Sequence, residues 1–513
     1  MVNMRSFSGT LLIAAALLYS CSDVQDLADV GKRVETEATD GNVTFILQSN
    51  LSSTTRSAED SNDHTQGTTN EYKVNTARVY LFDSNTKARV KSFSLTNITQ
   101  AGSDENYNIK YTADKVKVPQ GKFDIFVVAN TDRVIDKDTE EEFLADIDNG
   151  TYYNKACIEA SDIARPGIVM SNRASDNLEV TIADKGPGND NVVTIVLERV
   201  LARIDVAKKY NEYPLTDNKG ARYATIKLDD YYIVNLAKTY YSFRHTAVLT
   251  SLTAPAEWTV PTATNSTYFG RVNDVNGYVI DPYFFNKKVD ATGFTNQDKY
   301  YEHFYGDMSN PSSVQWTAIN PAITPTSTAL TANYNTTYCL ENCMLQPAQK
   351  NGYSTGVVFR ATVVPYNNVY KLNAANNLEV VTDPAQYPEV LHYYDYKFFA
   401  SPEAMQAYIR STGGSGEFED LKFEKTDAGY RCYYKYWIRH EDNNRPTEMG
   451  VMEFAVVRNN LYRLYVTNVS GLGEGGDGTI NVDPDIPDEG EASLQVDLKV
   501  KPWIVRDQID IVL

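Results

Sequence analysis

The sequence predicts an all-β protein of two antiparallel β-sandwich domains, from its composition, its periodicity and its scarcity of helices. Tyr occurs 36 times among 513 residues, and Tyr, Val and Thr favour strands. Runs of alternating apolar and polar residues follow one another, such as ARVYLFD from Ala77, KVKVPQGKFDIFVVAN from Lys115 and GVVFRATVVPY from Gly356. Helical patterns are short and do not alternate with strands, so the pattern of a parallel β-α-β sheet is missing from the sequence.

Residues 1–21 are typical of an export signal. Arg5 precedes an apolar run, Leu11–Leu18, that is too short to span a bilayer, and Ser20 and Cys21 follow it. The sequence LYSC resembles the lipobox of bacterial lipoproteins, in which the cysteine is lipidated; an ordinary secretory signal is the alternative. Because no later run is apolar enough to cross a membrane, acyl chains such as palmitate on Cys21 are expected to be the only anchor.

Residues 22–56 are predicted to form an acidic tether followed by one isolated strand, Val43–Gln48. The apolar face of this strand consists of Val43, Phe45 and Leu47. Residues 52–70 are rich in Ser, Thr, Asn and Asp, and Arg56 is the first basic residue after the strand. A trypsin-like protease that cut between Arg56 and Ser57 would separate the strand from the rest of the chain.

Two domains are predicted to follow, an N-terminal sandwich at 57–201 and a C-terminal sandwich at 202–470. The run NVVTIVLERVLARIDV, from Asn191, is interpreted as the last strand of the first domain running into the first strand of the second. The region from about Tyr241 to Tyr338 is too long for a simple loop, and it is expected to be an insertion with short strands or an elaborated surface.

Few helices are predicted. Thr139–Asn149 has the acidic first turn and capping residue of a helix. A second helix is predicted with Ser401 as its N-cap, Pro402 as its first residue and Gly413 beyond its last turn. The run MEFAVVRNNLYRLYVTNV, from Met452, predicts a strand.

Residues 471–513 are predicted to be a Gly/Asp/Pro-rich linker followed by a strand with one apolar face. Pro502 interrupts the alternation, since proline cannot donate to a strand ladder. The apolar positions are Leu494, Val496, Leu498, Val500, Trp503, Val505, Ile509 and Ile511. Such a strand either folds back as an edge strand on its own sandwich or pairs with another molecule, and a tethered strand at each end of one chain favours the second interpretation.

Charge and motifs argue against several classes of function. The net charge of −19 disfavours nucleic-acid binding, which requires clustered Lys and Arg. The sequence has no GxSxG, HExxH, P-loop or GxGxxG motif, and its five His are scattered, so no enzyme, cofactor or metal site is expected. Buried thiols are expected at Cys157, Cys339, Cys343 and Cys432, with a Cys339–Cys343 or Cys339–Cys432 disulfide as alternatives.

Four motifs resemble the fimbrillins of type V pili, most closely the Mfa-type minor-fimbrium subunits. They are LERVLARIDV from Leu197, FRATVVP from Phe359, VVRNNLYRLYVTNVSGLG from Val456, and VKPWIV with IDIVL at the C-terminus. The resemblance implies two Greek-key, transthyretin-like β-sandwich domains. It also implies an outer-membrane lipoprotein precursor whose mature form lies at the cell surface in a fimbrium that mediates adhesion.

The resemblance further implies polymerisation by donor-strand exchange. An Arg-specific protease would cut after Arg56, the strand Val43–Gln48 would leave, and the segment from Leu494 of the next subunit would fill the groove. Partners would be copies of the chain or other fimbrial subunits arranged head to tail, an anchor subunit, and host or bacterial surface ligands. The cut site and the donor together favour a stalk subunit, with a tip or accessory position as the alternative.

The alternative from another class is a surface lipoprotein that binds glycan or a host ligand without polymerising. Trp258, Trp316 and the stretch YVIDPYFFNKK, from Tyr278, carry aromatic rings on which sugars can stack. Local packing is the commoner use of aromatic residues in loops.

Overall fold

The computed structural model describes residues 40–49, 69–103, 109–149, 167–172, 179–186, 188–247, 278–284, 300–323, 334–344, 348–414, 421–440, 453–475, 480, 482–483, 488 and 494–502. The first strands in chain order are β1 (Asp40–Ser49), β2 (Ala77–Asp83), β3 (Arg89–Ser94), β4 (Thr99–Ser103), β5 (Ile109–Thr112), β6 (Val116–Pro119), β7 (Gly121–Ala129), β8 (Ile147–Asn149), β9 (Met170–Ser171), β10 (Glu179–Ile182) and β11 (Asn191–Arg199).

The later strands are β12 (Leu201–Lys208), β13 (Tyr213–Thr216), β14 (Arg222–Val234), β15 (Leu236–Ala237), β16 (Thr239–Tyr241), β17 (His245–Ala247), β18 (Tyr278–Ile280), β19 (Tyr301–Glu302), β20 (Thr317–Ala318), β21 (Asn335–Leu340), β22 (Gly356–Pro365), β23 (Val369–Leu372), β24 (Leu378–Val381), β25 (Val390–Tyr394), β26 (Lys397–Phe399), β27 (Leu421–Thr426), β28 (Gly429–Trp437), β29 (Asn460–Val469) and β30 (Leu494–Pro502). The α-helices are α1 (Thr69–Tyr72), α2 (Glu140–Leu144) and α3 (Pro402–Ser411), and 3-10 turns occur at Tyr305–Ser309, Pro311–Ser313 and Pro384–Gln386.

The predicted all-β class with few short helices is confirmed. One large sheet has the order β3-β2-β7-β9-β11-β1-β5-β4, with β10 added beside β7 and β6 added beside β1. Strands from both ends of this order contribute side chains to one core, which includes Val79, Ile125 and Val193. The sheet therefore curls around that core. The Greek-key, transthyretin-like connectivity stays a prediction.

Two further sheets pack face to face in the second half of the chain. The smaller has the order β21-β12-β29-β30, and the larger runs β13-β14-β22-β28-β27-β25-β26-β23-β24, with β20 beside β14. Their shared core includes Ile204 from β12, Leu464 from β29 and Phe359 from β22. The long run from Asn191 therefore divides at Val200 between two sheets, β11 in the first and β12 in the second.

One of the two predicted helices is shorter in the structure than its sequence pattern indicated, and the other agrees with it. The helix predicted over Thr139–Asn149 ends at Leu144, because Ile147–Asn149 pairs with β16. Thr139 is its N-cap and accepts a hydrogen bond from the Glu142 N–H. The helix predicted after the N-cap Ser401 is confirmed. The Ser401 side chain accepts a hydrogen bond from the Ala404 N–H, and Gly413, beyond the last turn, has a φ of +83°.

The strand predicted from Met452 is wrong for its first part, since β29 begins only at Asn460. Asn459 adopts φ 57°, a left-handed conformation that interrupts an extended run. Before it, the fully buried Arg458 pairs with Glu341, which holds this segment against the core as a loop.

The region from Tyr241 to Tyr338 contains the expected short strands, β17 to β20, within its described parts. Cys339, Cys343 and Cys432 are buried thiols in the part of the chain that the structure describes, so the expectation of buried thiols is confirmed for these three. Cys157 lies outside the described residues.

Among the helices that the structure describes, none has the length and apolar character of a membrane span. The described ranges also hold no group of His, Cys, Asp and Glu side chains suited to a metal ion.

Candidate strand-exchange site

Strand β1 lies inside the first sheet, with hydrogen-bonded neighbours on both sides. Along one side it runs parallel to β11, with Phe45 opposite Val193. Along the other side it is antiparallel to β6 and then to β5, with Leu47 opposite Tyr111. Removal of β1 would leave two facing ladders of unpaired backbone groups.

The side chains of β1 alternate between the core and the outer face, as the sequence predicts. Val43, Phe45 and Leu47 are 0%, 0% and 1% exposed, whereas Thr44, Ile46 and Gln48 are half-buried. The Phe45 ring lies 5.9 Å from the Phe93 ring. Burial of each apolar side chain of this size is worth about 1.5–3 kcal/mol, so the inner face of β1 supplies much of its attachment.

The start of β1 is tightly packed at Gly41. A Cβ atom on Gly41 would lie 2.8 Å from the Ala183 carbonyl oxygen and 3.1 Å from the Asn191 side-chain nitrogen. That amide nitrogen donates to the carbonyls of Asn42, at 3.1 Å, and Ala183, at 2.8 Å. Any side chain at position 41 would push these groups apart, so this end of the groove accepts only glycine without adjustment.

Helix α1, which follows β1 in the chain, is fixed at the junction of the first two sheets. The buried Glu71 carboxylate accepts hydrogen bonds from Arg203 Nη1, at 2.8 Å, and from the Tyr338 hydroxyl, at 2.7 Å. The Glu71 carbonyl accepts from Arg199 Nε at 2.6 Å. Residues beyond the predicted cut site are thus held independently of β1.

The ionisation of this junction reflects its burial. Desolvation lowers the pKa of Arg199 to about 10. For Arg203, burial also opposes the charged form, but the carboxylates of Asp205 and Glu71 outweigh it and raise its pKa. Desolvation together with the Glu71 charge raises the pKa of Tyr338, so its hydroxyl stays a donor at neutral pH.

Strand β30 occupies the edge of the second sheet. It is antiparallel to β29, with Leu498 opposite Leu464 and Val500 opposite Tyr462, and it ends the strand order of that sheet. In this single chain, the C-terminal strand therefore folds back as an edge strand on its own domain, which is the first of the two alternatives that the sequence left open. The positions Leu494, Val496, Leu498 and Val500 lie on β30, whereas Trp503, Val505, Ile509 and Ile511 lie outside the described residues.

The segment predicted to be a loose linker is attached to the domain at its described positions. Glu474 forms a bridge with Tyr433 and an ion pair with Lys435 at 2.5 Å. Ile480 is 2% exposed, and the buried Asp488 carboxyl accepts a hydrogen bond from the Ser354 hydroxyl. Burial holds the pKa of the Asp488 carboxyl well above its usual range.

The structure brings Val43, Phe45 and Leu47 together in one groove, while Cys21, Arg56 and Ser57 lie outside the described residues. Sequence reasoning missed Gly41, and it missed Glu71, for which no local pattern gives a signal. Trp316 is used in local packing: its Nε1 donates to the Pro311 carbonyl at 2.8 Å, and its ring lies 4.7 Å from the Arg360 guanidinium. Trp258 lies outside the described residues.

Several solved structures resemble the chain at low sequence identity. A candidate cell adhesion protein from Parabacteroides distasonis is 13% identical, with 92% of this chain and 99% of that chain covered and a TM-score of 0.44. A fimbrilin from Porphyromonas gingivalis is 15% identical, with 92% and 99% covered and a TM-score of 0.41. TM-scores of this size carry no argument about the family, which therefore rests on matches of sequence.

No curated protein matches the sequence. Two family models match it, one towards each end. The model described as major fimbrial subunit protein (FimA) matches residues 42–199, from β1 to the end of β11. The model described as major fimbrial subunit protein type IV, fimbrillin, C-terminal matches residues 428–509, which include β28, β29 and β30. These two matches relate both ends of the chain to the fimbrillin family of fimbrial subunits.

Proposed function

We propose that this chain is a structural subunit of a surface fimbria that polymerises by donor-strand exchange after proteolytic removal of β1, and that the fibre mediates adhesion. The observation that carries the proposal is the position of β1, an internal strand with Val43, Phe45 and Leu47 fully buried, at the N-terminal end of the described chain. A strand in that position can be replaced only by another strand of matching alternation.

The C-terminal strand has the required alternation, and among the described strands it pairs with β29 alone. It can leave β29 without opening the centre of a sheet. In the proposed fibre, β30 of one copy fills the groove that β1 leaves in the next. This contact is head to tail and does not close, so it generates filaments.

The remaining parts of the proposal concern the precursor. Cys21 carries the lipid that holds it at the outer membrane, an Arg-specific protease cuts between Arg56 and Ser57, and an anchor subunit ends the fibre. The two domains meet at residues 201 and 202. The mature subunit lies in the fimbrium, where other fimbrial subunits and surface ligands are its partners.

The test uses the soluble precursor from Ser22, treated with an arginine-specific protease and analysed on unboiled SDS gels. Wild type is expected to gain a new N-terminus at Ser57, lose residues 22–56 and form an SDS-resistant ladder. Arg56→Ala is expected to remain monomeric. The matched control is Arg33→Ala, which alters an arginine on the other side of the strand and is expected to behave as wild type.

Deletion of residues 494–513 is expected to allow the cut and prevent the ladder. A precursor that loses β1 and stays a stable monomer would overturn the proposal. Reversible binding to a glycan array by that monomer would then favour the surface-lipoprotein alternative.

A further inference from the structure

A lysine and two carboxyl groups meet at one edge of the first sheet, far from the strand-exchange groove in sequence. Lys87 Nζ lies 2.6 Å from Asp124 Oδ2 and 3.8 Å from Glu140 Oε2. The Lys87 side chain is 42% exposed, whereas those of Asp124 and Glu140 are 0% and 7% exposed. The lysine therefore reaches from the surface to a carboxyl group inside the protein.

The surroundings of Asp124 are aromatic. Asp124 stands opposite Phe82 in the β2–β7 register, and Phe126 follows two positions along the same face of β7. Phe143 lies against both rings, with centroid distances of 5.0 Å to Phe82 and 5.4 Å to Phe126. Such apolar surroundings favour the neutral form of a buried carboxyl group over its charged form.

The backbone fixes the three groups relative to one another. Lys87 lies in the turn between β2 and β3 with φ 59°, a conformation in which a lysine is uncommon. Its carbonyl accepts a hydrogen bond from the Glu140 N–H at 2.9 Å, and the adjacent Ala88 forms a bridge with Thr139, the N-cap of α2. The turn and the start of α2 thus hold the amine and the second carboxyl group beside Asp124.

We propose that Lys87 and Asp124 condense to an intramolecular isopeptide bond, with Glu140 as the proton carrier. The ammonium group of Lys87 first gives a proton to the carboxyl pair. The neutral amine then attacks Cγ of Asp124, Glu140 moves a proton from the nitrogen to the departing oxygen, and water leaves. One N–C bond forms and one C–O bond breaks, the positive and negative charges cancel, and no oxidant or cofactor is needed.

Fixed geometry is what such a reaction requires. Well-oriented reactants held about 3–3.5 Å apart gain much of the rate that an enzyme would otherwise supply, and Nζ already contacts the carboxyl group that it would attack. The product would tie the β2–β3 turn to β7, and all three strands belong to the sheet from which β1 departs in the proposed exchange. A covalent tie there would keep that domain folded while its groove is open.

The first measurement is the intact mass, under denaturing conditions, of the folded soluble precursor from Ser22. The expected mass is lower than the sequence mass by one water molecule. In a tryptic digest, the peptides Val79–Arg89 and Phe123–Arg133 should elute as one linked species, uncut after Lys87. A mass equal to the sequence mass, with the two peptides separate, would overturn the proposal.

Variants test the assignment of roles. Lys87→Arg keeps the positive charge but replaces the amine nucleophile, and Glu140→Gln keeps the shape but removes the proton carrier; both are expected to show the full sequence mass. The matched control is Lys115→Arg, because Lys115 pairs with Asp190 at the same 2.6 Å but on the surface. This control is expected to retain the mass deficit. A deficit that persists in Lys87→Arg would contradict the proposed bond.

Discussion

The strands at the two ends of the described chain, β1 and β30, have similar alternation but are held in different ways. β1 has β11 on one side and β5 and β6 on the other, and its inner side chains are fully buried. Among the strands that the structure describes, β30 is hydrogen-bonded to β29 alone. The same apolar–polar pattern therefore serves as a central strand in one place and as an edge strand in the other.

The difference indicates why, in the proposed exchange, only one of the two strands would require a protease. A strand paired on both sides leaves two unpaired ladders when it departs, so its loss opens the domain. A strand paired on one side exposes one ladder and leaves the rest of its sheet intact. In the proposed exchange, cleavage makes the loss of β1 irreversible, while β30 leaves its own sheet by a local equilibrium.

The largest expected effect that sharpens this comparison is that of Phe45→Ala in the uncleaved chain. Phe45 is fully buried between the arms of the first sheet, so the substitution is expected to lower the free energy of unfolding by about 3–5 kcal/mol. The control is Thr44→Ala, at a half-buried outward position, with an expected loss below about 1 kcal/mol. Urea unfolding measures both. Equal losses would mean that β1 is not held by its inner face.

A second prediction compares the two strands directly by hydrogen exchange. The amides of β1 are expected to exchange at least about 100-fold more slowly than those of β30, because β1 opens only with its whole sheet. Mass spectrometry of peptides from the uncleaved chain measures the rates. Similar protection in both strands would show that β30 is held as firmly as β1, and the proposed donor would then not be available without unfolding.

Sequence patterns predicted those elements whose cause is local. The alternation of Val43, Phe45 and Leu47 predicted the strand and its inner face, and Ser401, Pro402 and Gly413 predicted a helix with its start and end. These predictions succeed because period, capping and turn chemistry act over a few residues. The strand from Met452 failed in its first part because Arg458 is tied to Glu341, a partner 117 residues away.

Of the candidate site, the sequence predicted the apolar side chains of β1, but it did not predict the polar residues and the glycine that surround this strand. Glu71 holds the chain after β1, yet its partners Arg203 and Tyr338 lie 132 and 267 positions away, so no local pattern distinguishes it from other acidic residues. Gly41 gives no signal either, since its role comes from a carbonyl oxygen at Ala183. Likewise, the Gly/Asp/Pro composition of the linker suggested a loose segment, and Tyr433, Lys435 and Ser354 supply the contacts that attach it.

A third prediction concerns the tight end of the β1 groove. Gly41→Ala is expected to lower the free energy of unfolding by about 1–3 kcal/mol, because the added Cβ meets the Ala183 carbonyl. Asn42→Ala, at the exposed neighbouring position, is the control and is expected to be near neutral. Urea unfolding again provides the measurement. A neutral Gly41→Ala would show that this end of the groove can widen and that it does not restrict which strand enters.

The smallest expected effect concerns the other strand, through the attachment of its linker at Asp488. Burial raises the pKa of this carboxyl well above its usual range, although the hydrogen bond from Ser354 lowers it in part. The attached state therefore binds a proton that the free chain releases. Its stabilisation is complete below the ordinary aspartate pKa and is lost as the pH rises towards the raised value, by at most about 1.4 kcal/mol per pH unit.

Urea unfolding of wild type and Asp488→Asn between pH 5 and pH 8 tests this sign. Wild type is expected to lose stability relative to the variant as the pH rises, because asparagine keeps the neutral form at every pH. Asp483→Asn is the control, since Asp483 lies in the same segment and the substitution keeps its backbone carbonyl, which accepts from Asn351. Parallel curves for wild type and Asp488→Asn would mean that Asp488 does not fasten the linker. The reach of β30 would then be set by its pairing with β29 alone.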